Sequence, residues 1–340
     1  MSPVPPPTGV LVMAYGTASG PDDVERYYTD IRGGRPPAAQ HLRELKERFA
    51  AIGDRFPLLD ITRRQAEGLE RALNAGSDGR RFRTFLGMKH SPPFIDQGVA
   101  AMRQAGIERA VGLVMAPHWS GMSIETYIER VNATAAEGSG GPAFDFVRAW
   151  YKHPGFVEFL SSRVSDALDR LSRAQRRGAV VIFSAHSLPQ RGMPDGTSRC
   201  LRCHTDWCTN GCRYKTELED NAKIVAEAVG LHEEQYTVAW QSAGRTADPW
   251  LGPSMEDVIR DVAAAGHRAV VACSAGFVAD HLEILYDLDI EARRAAQERG
   301  MAFVRTEMPN ADPRFVEILA RVVREHLREP APTRSAWAQA

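Results

Sequence analysis

The chain has 340 residues, of which 44% are hydrophobic and 25% charged, and its formal net charge is −1. This length allows two domains with a shared buried interface, and the small net charge argues against nucleic acid or an anionic membrane as a partner. The N-terminus lacks the basic and apolar segments of a signal peptide, and no apolar run approaches the roughly 20 residues that span a bilayer. We therefore expect a cytoplasmic globular protein.

Short apolar runs alternate with amphipathic segments along the whole chain. The runs predict eight strands: Val10–Tyr15, Phe82–Met88, Ala110–Ala116, Phe144–Trp150, Ala179–Ser184, Tyr236–Gln241, Ala269–Ser274 and Ala302–Thr306. The segments between them predict helices: Pro21–Ile31, Ala38–Ala51, Thr62–Asn74, Phe94–Ala105, Gly155–Ala174, Thr216–Val229 and Met255–Ala265. Strands that are apolar on both faces and separated by helices predict an α/β fold with parallel sheets covered on two sides.

The two halves of the chain have similar sequence patterns. A helical segment leads through Arg109-Ala-Val into an apolar strand in the first half, and the same pattern recurs at Arg268-Ala-Val in the second. We predict two similar doubly wound domains, residues 9–152 and 153–328, with flexible ends at 1–8 and 329–340. Because ligands bind beyond the carboxyl ends of the strands in such folds, the two domains can frame one cleft.

Two polar side chains lie at the ends of predicted strands at this edge. Tyr15 ends the first predicted strand and precedes a glycine, so it fits either a packing role or a site. His186 lies in the turn after the fifth predicted strand, where a lone histidine is more often structural than catalytic. A carboxylate cluster near His186 would favour a catalytic role for this histidine.

Such a cluster is present in the segment from Asp280 to Glu291. On an α-helix, Glu283, Asp287 and Glu291 would form a ladder about 12 Å long. The alternative is a capping box formed by Asp280 and Glu283, which would leave the later carboxylates on a solvated helix surface. The sequence alone leaves both interpretations open.

Four of the five cysteines fall within thirteen residues, at Cys200, Cys203, Cys208 and Cys212. In a cytoplasmic chain this spacing predicts a metal site rather than disulfides, and the metal is zinc or an iron–sulfur cluster. Cys273 lies in an apolar run and is interpreted as a buried strand residue.

Several motifs together resemble the ferrochelatases, and most closely the bacterial coproporphyrin-using type. They follow one another in the family's order from about Val10 to Leu327: LVMAYGT (11–17), ERYYTDIRGGR (25–35), GMKHSPPFI (87–95), APHWS (116–120), SAHSLP (184–189), WQSAGRTADPWLGP (240–253), GFVADHLEILYD (276–287) and EMPNADPRF (307–315). So many ordered motifs are far more specific than any single one.

The resemblance implies two Rossmann-like, chelatase-type domains with a porphyrin cleft between them, and insertion of Fe2+ into the porphyrin for haem synthesis. His186 and Glu283 would be the catalytic pair, and Asp287 and Glu291 would join them in handling the substrate iron. The porphyrin would be held by Tyr15, Thr17, Arg32, Arg48, Tyr127 and Ser242. Tyr15 favours coproporphyrin III as the porphyrin, with protoporphyrin IX as the alternative.

Two features depart from the family pattern. Phe56 stands where the family often has a small serine that contacts propionates, which puts that contact in doubt. The cysteines lie in an insertion at about residues 190–214; because some ferrochelatases carry a [2Fe–2S] cluster, the resemblance favours this cluster over zinc.

Three questions remain open at this stage. Transient contact with other haem-pathway enzymes is conceivable, and the sequence does not fix the oligomeric state. One alternative function is a sirohydrochlorin or cobalt chelatase, and another is a non-catalytic haem or porphyrin carrier or sensor with an iron–sulfur or zinc site.

Overall fold

Two four-stranded parallel sheets form the centre of the molecule. The computed structural model describes residues 6–75, 79–137, 140–192, 198–201, 212–244 and 246–328. The strands are β1 (Thr8–Ala14), β2 (Phe82–Met88), β3 (Arg109–Val114), β4 (Ala143–Val147), β5 (Ala179–His186), β6 (Gln190–Gly192), β7 (Ser198–Cys200), β8 (Tyr236–Gln241), β9 (Ala269–Cys273) and β10 (Ala302–Arg305). All eight predicted strands are present.

The helices cover the sheets. They are α1 (Val24–Ile31), α2 (Ala39–Ala51), α3 (Leu58–Ala75), α4 (Ile95–Gln104), α5 (Ile124–Ala136), α6 (Pro154–Asp169), α7 (Arg173–Arg177), α8 (Arg213–Val229), α9 (Met255–Ala264), α10 (Arg293–Gln297) and α11 (Pro313–His326). Short 3₁₀ turns occupy Pro21–Asp23 and Glu233–Gln235, and a π-helix, Ile284–Ala292, runs into α10. Helices α5, α10 and α11 were not among the predicted helices, and the carboxylate segment, considered there as an α-helix, is a π-helix.

The two sheets have the same topology. The first has the strand order β2-β1-β3-β4 and the second β10-β9-β5-β8, so β5, β8, β9 and β10 repeat the arrangement of β1 to β4. Every pairing within these sheets is parallel. Strands β1 and β5 are central and almost wholly buried, as strands covered on both faces must be. The predicted α/β class with duplicated parallel sheets is confirmed.

The last helix joins the two halves. Arg324 of α11 donates a hydrogen bond of 2.6 Å to the Ala72 carbonyl of α3, and Val316 packs against Gly68 of the same helix. One continuous apolar core therefore runs through both halves. Within the described residues, no helix is both long and apolar enough to cross a membrane. The predicted flexible tail, residues 329–340, and residues 1–5 lie outside the described part.

Helix α4 packs closely on the first sheet at Gly98. A Cβ atom there would lie 2.3 Å from the Leu86 carbonyl oxygen and 2.8 Å from Leu11 Cδ1. We expect Gly98→Ala to lower the free energy of unfolding by about 2 kcal/mol, because a backbone carbonyl cannot move aside and overpacking costs ~1–3 kcal/mol. Gly20→Ala is the control, since an added methyl there meets nothing within 4 Å. Urea unfolding measures both variants, and equal midpoints would contradict this close packing.

Candidate active site

Loops at the carboxyl ends of the two sheets enclose a cavity of about 1070 Å³. This volume suits a large cofactor-sized ligand. Both halves of the chain line the cavity, and the predicted site residues on its wall are Tyr15, Thr17, Arg48, Tyr127, His186, Ser242, Glu283, Asp287 and Glu291.

The geometry of β5 and its following turn places His186 at the cavity wall. The Ser187 amide donates to the Gln241 carbonyl (2.7 Å) and its hydroxyl donates to the Leu251 carbonyl (2.7 Å), which fixes the chain just after the strand. His186 Nδ1 donates to the Ser187 carbonyl. The other ring nitrogen, Nε2, is then free to face Glu283, whose Oε1 lies 3.5 Å away.

Glu283 lies between two imidazoles. Its second oxygen is 3.6 Å from Nε2 of His281, whose Nδ1 donates to the Ala279 carbonyl (2.9 Å). Burial alone would raise the pKa of Glu283, but the two histidines hold it below its usual range. Burial alone would lower the pKa of His186, but the attraction of the Glu283 carboxylate for the imidazolium outweighs the effect of burial and raises the pKa to about 9. The pair is therefore an imidazolium and a carboxylate at neutral pH.

The carboxylate segment is not an ordinary α-helix, and the capping-box interpretation is wrong. Asp280 accepts a 2.7 Å hydrogen bond from Asn310 and lies 3.3 Å from an Arg305 guanidinium nitrogen, so it does not cap the helix. Residues Ile284–Ala292 form a π-helix, whose wider turn changes the direction of side chains four apart. Glu283, Asp287 and Glu291 nevertheless all line the cavity.

Asp287 is a buried acid, not a solvated surface residue. It is 7% exposed and accepts a short hydrogen bond from the Ser242 hydroxyl, and its Oδ1 lies 3.8 Å from Arg48. That oxygen has no hydrogen-bond partner in the described residues. Burial, reinforced by Glu283, raises the pKa of Asp287 to about 7. An unpaired buried oxygen beside other carboxylates is suited to receive a cation.

The first half contributes an aromatic wall to the cavity, which includes Tyr15 and Tyr127. Gly16 adopts φ +99° and a Cβ there would lie 2.6 Å from Ser91 Oγ, so only glycine fits the turn that follows Tyr15. Tyr15 is 45% exposed, and the surface it exposes faces the cavity. Although the residue is partly exposed to the cavity, desolvation of the hydroxyl, and after it the charge of Glu283, raises the pKa of Tyr15, so the hydroxyl is neutral. The amide of Thr17 donates to Ser91 Oγ at 3.2 Å.

Lys89 brings a positive charge to the same wall. Its Nζ donates to Thr126 at 2.7 Å and lies 6.0 Å from the ring centre of Tyr15 and 5.2 Å from that of Tyr127. A cation over aromatic faces is stabilised by their quadrupoles. Lys89 was not among the predicted site residues, although it lies within the GMKHSPPFI motif.

Two other predicted features lie apart from this arrangement. Arg32 is exposed and is not part of the cavity wall; its Nε donates to the Arg35 carbonyl at 3.3 Å. Phe56, at the position of the family's serine, stacks on Phe49 with ring centres 4.4 Å apart. Its role there is packing.

The cysteine group lies mostly outside the described residues. Cys203 and Cys208 belong to the undescribed part, Cys200 ends β7, and Cys212 is buried immediately before α8. Within the described residues, no three histidine, cysteine, aspartate or glutamate side chains are placed so that together they could hold one metal ion. Cys273 is fully buried in β9 and burial raises the pKa of its thiol to about 12, as expected for a packing residue.

Sequence reasoning missed His41, and it missed three further histidines at the cavity: His90, His118 and His281. Each of these three lies inside a motif used for the resemblance, which was the available signal. His118 is 2% exposed, and neither ring nitrogen has a hydrogen-bond partner among the described residues. Burial lowers the pKa of His118 to about 3, so the ring is neutral.

Paired sheets facing a cavity lined by imidazoles and carboxylates place the protein among chelatase-type folds. SirB from Bacillus subtilis with Fe3+ superposes with a TM-score of 0.54 at 10% identity, over 95% of this chain and 96% of that one. At this identity the likeness concerns the fold alone.

The comparison of sequences is more specific. The ferrochelatase family model matches residues 7–327. The coproporphyrin III ferrochelatase of Anoxybacillus flavithermus is 42% identical over 322 residues, covering 94% of this chain and 96% of that protein. That of Bacillus subtilis is 42% identical over 320 residues, covering 94% and 97%. The chain belongs to the ferrochelatase family.

The buried neutral His118 predicts a loss of stability in acid. Its folded pKa of about 3 lies below the unfolded value of about 6.5, so its stabilisation is complete above pH ~6.5 and is lost as the pH falls. When the pH falls from 7 to 5, this residue should lower the free energy of unfolding by about 2 kcal/mol, since one pKa unit equals about 1.4 kcal/mol. We expect His118→Gln to lose less stability than wild type over this interval in urea unfolding. Equal losses would contradict the neutral, unpaired state.

Proposed function

We propose that this protein inserts Fe2+ into coproporphyrin III. One observation carries the proposal: the His186–Glu283 pair lies on the wall of a porphyrin-sized cavity, in a chain of the ferrochelatase family. The relatives with 42% identity are named as coproporphyrin III ferrochelatases, which supports this porphyrin over protoporphyrin IX. An anaerobic insertion assay that compares the two porphyrins tests the choice.

The reaction requires that two pyrrole N–H protons leave while Fe2+ loses water at the same place. A planar macrocycle hides its nitrogen lone pairs, so a cavity that holds it bent favours the shape of the transition state. Tyr15 and Tyr127 supply aromatic surface for the macrocycle, and Arg48 supplies positive charge for a propionate. Thr17 and Ser242 add hydroxyl groups. To pair with a propionate, the side chain of Arg32 would have to turn from the Arg35 carbonyl toward the cavity.

His186 and the carboxylates would handle the iron. Asp287 and Glu291 offer oxygen ligands that bind Fe2+ weakly enough to release it, and they lead along the π-helix toward Glu283. The positive charge of Fe2+ beside Glu283 would displace the proton of His186. The neutral imidazole could then ligate the iron or accept a pyrrole proton, with Glu283 orienting the ring.

Replacement of His186 should separate binding from catalysis. We expect His186→Ala to lower iron insertion at least 100-fold, because general acid–base groups contribute about 10²–10⁴-fold. Coproporphyrin binding, followed by fluorescence quenching, should remain measurable, because the aromatic wall is intact. Near-normal turnover would refute the assignment, and wild-type protein that binds porphyrin without metallating it would indicate a carrier.

We also propose that Cys200, Cys203, Cys208 and Cys212 hold a [2Fe–2S] cluster, with zinc as the alternative. The support is their spacing and the buried position of Cys212 at the start of α8. Four thiolates complete either kind of site. Since metallation of a porphyrin transfers no electrons, the centre would be structural or redox-sensing.

Anaerobic purification followed by visible absorption and metal analysis tests the centre. We expect a brown protein with about two irons per chain, and a colourless protein with one zinc would identify the alternative. Cys203→Ser should lose the metal, whereas Cys273→Ala, which changes only a buried strand residue, should keep it. Wild-type protein without iron or zinc would contradict the proposal.

A further inference from the structure

The first half of the chain contains a second imidazole–carboxylate pair at the same cavity. Nδ1 of His90 lies 2.7 Å from Oδ1 of Asp30, and His90 lines the cavity. The His90 side chain is 13% exposed and that of Asp30 is 35% exposed. His90 therefore contacts the cavity, and its carboxylate partner is partly exposed.

The backbone fixes His90 beside Tyr15. The amides of Lys89 and His90 donate to the carbonyls of Ala14 and Tyr15, both at 2.9 Å, which joins the loop after β2 to the loop after β1. The His90 and Tyr15 rings consequently lie 4.6 Å apart between their centres. The loop after β2 thus holds an imidazole at the cavity in the first half, although the strand equivalent to β5 is β1 and not β2.

We propose that His90, held by Asp30, accepts one of the two pyrrole protons released when iron enters the porphyrin. The inference rests on the proposed function, and it assigns the first half of the chain a catalytic base of its own. Because Asp30 accepts the hydrogen bond from Nδ1–H, a neutral His90 carries its lone pair on Nε2.

The proton transfer balances without any further reactant. The pyrrole N–H bond breaks, its electron pair stays on nitrogen and is donated to Fe2+, and the proton adds to Nε2 of His90. The negative charge of Asp30 stabilises the imidazolium, and the partly exposed carboxylate then allows the proton to pass to water. The remaining pyrrole proton leaves by the His186–Glu283 side or to water.

The charges around His90 suit a base that is neutral before the reaction. Burial lowers its pKa, and Asp30 opposes that shift. The positive charges of Lys89 and Arg130 disfavour a further positive charge on His90. Arg26 donates a hydrogen bond of 3.4 Å to the His90 carbonyl, and the neutral ring of Tyr15 packs against the imidazole.

Chemical rescue tests the proposal on the full chain in the anaerobic insertion assay. We expect His90→Ala to lower kcat about 100-fold, to change the Kd for coproporphyrin less than threefold, and to regain at least tenfold activity in imidazole buffer. The control is His232→Ala, at an exposed position before a 3₁₀ turn, which should match wild type with and without imidazole.

A second variant, Asp30→Asn, tests the proposal independently. Asp30→Asn removes a group that raises the pKa of His90, so the acidic limb of the kcat–pH profile should move to lower pH. A His90→Ala variant within threefold of wild type, a loss that imidazole does not restore, or an acidic limb that stays in place in Asp30→Asn would each overturn the proposal. Inactive wild-type protein would instead refute iron insertion itself.

Discussion

The rest of the site depends on the carboxylate of Glu283, which is partly buried between His186 and His281. A partly buried charge is stable only when partners replace the water it has lost, and removal of one partner leaves an uncompensated ion. The segment that carries Glu283 is itself anchored, because Asp280 contacts both Asn310 and Arg305, and Gln65 of the first half donates to the Asn310 and Val278 carbonyls. The position of the carboxylate is therefore set by both halves of the molecule.

Duplication explains the architecture but not the chemistry. Strands β1 and β5 occupy equivalent central places, yet β1 leads into Tyr15 and a glycine turn, whereas β5 ends in His186. We propose a division into domains at residues 9–152 and 153–328, with α11 packed against α3 of the first half so that the two are held together. A fixed relation between the sheets keeps side chains of both halves within one cavity.

The two parallel sheets could be predicted from the sequence, and His186 and Glu283 could be singled out there as a pair. Strands such as β5, buried on both faces, are continuous apolar runs that few other structures produce. His186 and Glu283 were recognised because family motifs surround them. The π-helix could not be predicted, since a pattern of carboxylates four apart fits an α-helix equally well. The His90–Asp30 contact joins residues 60 apart, and no local pattern indicates such a pairing.

The distribution of charge around the cavity separates the two substrates. The second half provides Glu283, Asp287 and Glu291, whereas Lys89 and Arg48 come from the first half together with one carboxylate, Glu44. A porphyrin with propionates is anionic and Fe2+ is cationic, so the porphyrin is attracted to Lys89 and Arg48 and the iron to the carboxylates of the second half. The contact between Arg48 and Asp287, at 3.8 Å, lies where these walls meet. Entry of Fe2+ at Asp287 would weaken that contact and free Arg48 for a propionate, which would couple the binding of the metal to that of the macrocycle.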